Sequence, residues 1–158
     1  SFLEENGLLE YDALAARAAA GTARFNELSG TIKRTEGRMA EIAALQKQIA
    51  NYSKTRDVYA AYRKAGYSKK FLAAHETEIL LHKAAKAAFD KLGLQKLPTY
   101  KTLQAEYAGL LAEKKKAYAE YAAAKKEMQA VLTAKANVDR LLGAPPERPE
   151  QEKEQAQR

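Results

Sequence analysis

Between Phe25 and Tyr59 one seam recurs every three or four positions: Phe25, Leu28, Ile32, Thr35, Met39, Ile42, Leu45, Ile49, Tyr52, Arg56 and Tyr59. Near-heptad spacing of this kind puts its residues on one face of a helix, and such a face must be covered by another element. A second long pattern can supply the cover: Leu103, Tyr107, Leu110, Leu111, Tyr118, Tyr121, Met128, Val131, Leu132, Val138, Leu141 and Leu142. The two patterns predict helices over 22–64 and 101–142, each about 60–65 Å long at 1.5 Å per residue. Matched lengths predict an all-α fold, a coiled-coil-like hairpin of two long antiparallel helices with residues 66–98 as a short helical insert at its tip. In that register Ile49 and Tyr52 should lie near Leu110–Tyr118, and Ile32 near Val131.

The boundaries have local causes. Gly66 suits the left-handed turn that follows a helix, Gly93 ends the helix of the insert, and Gly143 followed by Ala144-Pro145-Pro146 is a firm stop. Ser68 and Thr99 are N-cap residues. Within the insert a helical turn is expected over 69–74 and an amphipathic helix over 75–92, with Ile79, Leu80, Leu81, Ala84, Ala87, Ala88 and Phe89 as its apolar face. Residues 1–21 read as a helical extension that starts near Glu10 and weakens or bends near Gly21. Residues 144–158 lack large apolar side chains and read as a disordered polar tail.

The hydrophobic share of 46% is largely alanine and charged residues reach 30%, which suits long helices sharing a thin core. Without cysteine there are no disulfides, thiolate metal sites or thiol redox chemistry. No apolar run is long enough to span a bilayer, and the start, SFLEENGLLEYD, lacks the shape of a signal peptide. A cytoplasmic protein without membrane contact is the expectation. The chain begins without an initiator Met, and we expect a piece of a longer protein. The net charge of +7 is uneven. Residues 53–102 carry eleven Lys and Arg against four Asp and Glu, the footprint of an anionic partner.

Three constellations invite chemistry. His75, Glu78 and His82 share a helix face, but histidines seven apart lie about 10 Å apart along the axis, too far to grip one ion easily. Local packing and hydrogen bonding explain them better, and no metal or cofactor is expected. The lysines at 114–116 and at 125 and 126 sit among Glu113, Glu120 and Glu127, which reads as ion pairing along a helix face. The third constellation, between Ser53 and Phe71, interleaves Lys54, Arg56, Arg63, Lys64, Lys69 and Lys70 with Tyr59, Tyr62, Tyr67 and Phe71, and Asp57 is its only acid. Such cations neutralise phosphates and exposed rings stack on unpaired bases, so Lys54, Arg56, Arg63, Lys64, Tyr67, Lys69 and Lys70 are candidate DNA-binding residues. The competing reading buries the rings and leaves the cations as a solvated face.

The wording of this region is itself informative. SKTRDVYAAYRKAGYSKKF, followed by HETEILLHKAAKAAFDKLG, LPTYKTLQAEYAGLLAEKKKAYAEY and KANVDRLLG, resembles the helical region C-terminal to the nuclease in relaxases of Gram-positive conjugative and mobilisable elements. The likeness covers roughly Phe25 to Gly143. It implies a non-catalytic accessory region that contacts single-stranded DNA, relaxosome components or secretion-coupling proteins. Relaxases use a tyrosine nucleophile beside a metal held by a histidine cluster with a His-hydrophobic-His motif. That motif is missing here, so none of the nine tyrosines inherits the nucleophile's role. The alternative is a structural coiled-coil module, a spacer or homodimeriser that touches no DNA.

Overall fold

In the computed structural model, which describes residues 2–93 and 96–143, four helices follow one another. They are α1 (Phe2–Lys64), α2 (Lys69–Ala74), α3 (Glu76–Leu92) and α4 (Tyr100–Leu141). The fold is all-α: α1 and α4 pack against each other as a helical hairpin, and α2 and α3 form the insert at its tip. The expected tail lies outside the described residues.

The helix ends form for the local reasons written in the chain. At the end of α1 the amide of Gly66 donates to the carbonyl of Arg63 (3.0 Å), and that of Tyr67 donates to the carbonyl of Tyr62 (3.0 Å). This is a Schellman closure, and it carries its usual side-chain contact, here the Tyr62 and Tyr67 rings edge to face at 5.2 Å. Gly66 accepts φ 65° freely, whereas Tyr67 is held at φ 58°, a region β-carbon sterics disfavour. The Ser68 hydroxyl then accepts from the Phe71 amide (3.3 Å) to start α2, and Thr99 accepts from the Thr102 amide (3.0 Å) to start α4.

The first helix is longer than expected. It begins at Phe2 and passes without a break through Gly21, because its opening turns have something to pack on. Leu14, with Tyr11 and Ala18, forms a cluster with Val131 and Val138, joined by Ala134 and Leu142. A β-carbon added at Gly7 would meet Leu142 Cδ2 at 3.0 Å, so the helices approach closely where this residue has no side chain. Burial of this stripe outweighs the propensity cost of its glycines, each up to about 1 kcal/mol.

That longer helix shifts the pairing. Leu28 and Ile32 pack on Ala117 with Tyr121 and Ala124, so Ile32 lies beside Ala117 rather than Val131, which belongs to the cluster of Leu14. Tyr52 faces α3, stacked on His82 and edge-on to Phe89, rather than the Leu110–Tyr118 stretch. The matched lengths misled because the extension before residue 22 also pairs with α4. The last turns of α1 are left to the insert.

The chain divides into two compact units, Ser1–Lys33 with Lys115–Arg158, and Arg34–Lys114. In the first, Arg24 pairs with Glu120 (2.8 Å) and Arg17 with Glu127 (3.5 Å). In the second, Arg38 grips Glu106 through Nε (2.8 Å) and Nη2 (3.1 Å), Arg34 pairs with Glu113, and Lys114 pairs with Glu36 (3.4 Å). Glu113, Glu120 and Glu127 thus reach across to α1 instead of along their own helix as expected. With Glu106 they recur every seven residues, the interval that keeps one edge of α4 beside its partner, and guanidinium forks suit carboxylates there. The hydrogen bonds from Arg38 hold the Glu106 carboxyl below its usual range.

The seam itself is as expected from Leu28 to Ile42, with Leu28, Ile32, Thr35, Met39 and Ile42 all buried. Only its far end departs: Thr55 is buried and Arg56 is exposed, so the seam runs on at three-to-four spacing through Tyr52, Thr55, Tyr59 and Tyr62. Ile42 is fully buried, so Ile42→Ala should cost about 2–5 kcal/mol. The half-buried Ile49 should lose less when replaced by Ala. Thermal unfolding followed by circular dichroism checks both, and a wild-type melting temperature for Ile42→Ala would contradict this packing.

Candidate nucleic-acid interface

The unit Arg34–Lys114 has 15 Lys and Arg against 8 Asp and Glu, and so holds the whole net charge of +7. Two groups among its cations differ. Arg34, Arg38 and Lys114 are paired with glutamates of the hairpin. Lys54, Arg56, Arg63, Lys64, Lys69 and Lys70 are all exposed, and among the described residues no carboxylate lies within ion-pair distance of them.

Beneath these cations lies a column of rings contributed by α1 and α3. The His82 imidazole is sandwiched between Tyr59 (centroids 4.2 Å apart) and Tyr52 (4.5 Å), both stacked on it. Phe89 closes one end, edge-on to Tyr52 at 5.5 Å, and the Arg63 guanidinium lies over Tyr59 at the other, 5.9 Å from its centroid. The Thr55 hydroxyl donates to the Asn51 carbonyl (2.7 Å), one turn back. Its oxygen is then the acceptor for His82 Nδ1, 3.0 Å away, which assigns the proton of the neutral ring to Nδ1. Burial lowers the pKa of His82 from its ordinary 6.5, and Arg63, Lys86 and Arg56 lower it further.

A second ring group continues toward the α1–α2 turn. Tyr62 is buried against Phe71 (6.0 Å) and Tyr67 (5.2 Å), with the Lys83 ammonium over its face at 5.8 Å. Phe71 also contacts His75, the residue that caps α3. The two histidines are therefore built into separate ring contacts.

The expected apolar face of α3 is only partly the buried one. Ile79, His82, Ala85 and Phe89 point inward, while Leu80 and Leu81 are exposed. The reason is the column: a flat imidazole fits between two tyrosines where a branched leucine does not, so α3 turns His82 inward and its leucines out.

Seven candidate DNA-binding residues thus fall in one unit and on its exposed surface. Of the four rings interleaved with them, only Tyr67 is mainly exposed, at 54%; Tyr59 and Phe71 are half-buried and Tyr62 is buried. The surface offers a cationic rim with one largely exposed ring, itself edge-on to Tyr62, rather than a row of stacking platforms. Sequence reading missed Lys83, which α3 brings over Tyr62 in the second ring group, and Lys86, which acts on His82; the charge surplus of residues 53–102 was the available signal. Comparison with protein families, with characterised proteins and with solved structures finds no match to this chain.

The His82 site makes stability depend on pH. The unfolded chain takes up a proton near pH 6.5, whereas the folded ring resists it until the pH is lower. Its contribution is complete above about pH 6.5 and declines as the pH falls below that value. Melting temperature should therefore drop between pH 7 and 5.5 in the wild type and drop less in His82→Phe, which keeps a ring in the column but cannot titrate. Identical profiles for the two proteins would contradict this assignment.

Proposed function

We propose that this chain is a non-catalytic accessory region of a DNA relaxase, working in conjugative or mobilisable transfer. In this reading the tip of the hairpin holds the transferred single strand, while the two long helices carry the tip. Relaxosome or secretion-coupling proteins are the protein partners that the reading implies. The observation that carries it is the division of the cations. Arg17, Arg24, Arg34, Arg38 and Lys114 of the hairpin are paired with glutamates, and Lys54, Arg56, Arg63, Lys64, Lys69 and Lys70 stand exposed without a carboxylate partner among the described residues, beside the exposed Tyr67. Lys and Arg so displayed neutralise phosphates with little regard to sequence, and Tyr67 adds one stacking face that only an unpaired base can use. The resemblance of residues 25–143 to relaxase C-terminal regions supplies the biological setting.

A second reading, a structural coiled-coil module without DNA binding, draws support from the inward turn of Tyr59 and Tyr62. Fluorescence anisotropy with a labelled oligonucleotide across a salt series separates the two. The proposal expects modest affinity that weakens with salt, by about 0.7 in log–log slope per phosphate neutralised on a single strand. Changing Arg63, Lys64, Lys69 and Lys70 together to Gln should flatten that slope without altering the melting temperature. Tyr67→Ala should cost about 1–3 kcal/mol on a single strand and little on duplex. No binding at low ionic strength would leave the structural module as the reading.

A further inference from the structure

Among the described residues, His82 is both deeply buried, 4% exposed, and stacked between rings from another helix. It is connected to the surface by a single ring, since the Arg63 guanidinium that lies over Tyr59 is two layers from the imidazole. The charged groups that act on it come from both elements of the column: Arg56 and Arg63 from α1 and Lys86 from α3, all cationic. Asp57 on α1 and Glu78 on α3 are both exposed. Tyr52 and Tyr59 on α1 are the other titratable groups in contact, and Thr55 holds Nδ1. Three cations thus oppose a fourth charge, and because Thr55 already holds the Nδ1 proton of the neutral ring, uptake places the second proton on Nε2.

We propose that His82 links proton uptake to nucleic-acid binding: DNA phosphates on Arg56, Arg63 and Lys86 draw a proton onto His82, and a proton on His82 tightens the grip on DNA. The inference rests on the proposed DNA-binding reading and adds its regulation. The physics is reciprocal. Burial does most to keep the imidazole uncharged and the cations add to it; phosphates neutralise the cations, so the ring accepts a proton more readily in the complex than in the free protein. Because binding then takes up protons, affinity rises as the pH falls through the range between the two titration midpoints. Arg63 is the main conduit, being both a member of the exposed rim and the cap of the column. His82 itself touches no DNA; it acts as a positioning residue through Tyr59 and Arg63.

The test follows the His82 imidazole by NMR titration of the full chain, free and with saturating single-stranded thymidine oligonucleotide. Oligonucleotide affinity is measured alongside between pH 7.5 and 5.5. We expect the titration midpoint to move up on binding, by half a unit or more, which corresponds to about threefold tighter binding at the acidic end. His82→Phe should lose this part of the pH dependence while His75→Gln keeps it. If His82→Phe fails to fold, the midpoint shift in the wild type decides alone. Binding with an unmoved His82 midpoint overturns this inference and leaves the DNA reading intact. Absence of binding at every pH overturns both.

Discussion

Everything in this molecule depends on where α1 meets α4. The core is thin, with Ile42, Ile79, Leu103 and Thr35 as its largest fully buried side chains, so little apolar area is available to penalise a slipped pairing. The ion pairs help, but each exposed pair is worth only about 0.2–1 kcal/mol. They are also degenerate, since carboxylates at 106, 113, 120 and 127 still meet an α1 edge after a slip of one heptad. The register is therefore held by features that do not repeat. In one unit Gly7 admits Leu142 closely, and in the other the ring column accepts one histidine between two tyrosines.

The same pairing explains how the charge is used. Arg17 and Arg24 in one unit, and Arg34 and Arg38 in the other, meet glutamates of α4. Beyond Arg38 the partner of α1 changes from α4 to α3, and α3 brings Lys83 and Lys86 instead of a row of carboxylates. Among the described residues, the α1 cations past that point have no carboxylate within ion-pair distance. A single helix thus carries arginines that hold the hairpin together and, further along, arginines left free for a partner.

Much of the fold was legible in the chain because helix signals are local. Gly66, Ser68, Gly93 and Thr99 end and start helices through bonds to their immediate neighbours, and the seam from Leu28 to Ile42 is a matter of spacing. What could not be read locally was read wrongly. Gly21 looked like a weak point because its propensity is poor, yet Leu14 and Val131 supply the packing that keeps the helix whole. Leu80 and Leu81 looked like core because they are leucines, yet the space beside Tyr52 and Tyr59 takes the flat ring of His82. At the site the seven candidate residues were found by composition, whereas the column and the lysines that α3 brings to the rings, Lys83 and Lys86, required the third dimension. The rings expected to meet DNA are mostly spent on holding α3 to α1.

If the exposed cations between Lys54 and Lys86, in the unit that holds the whole net charge, are the surface that meets nucleic acid, amide chemical-shift mapping shows it most directly. Titrating the isotope-labelled chain with a single-stranded oligonucleotide at low ionic strength should perturb resonances between residues 54 and 86, centred on Arg63, Tyr67 and Lys70. The stretches 4–33 and 115–143 should stay still. Shifts concentrated at the lysines of α4, such as Lys115, Lys116, Lys125 and Lys126, would contradict it.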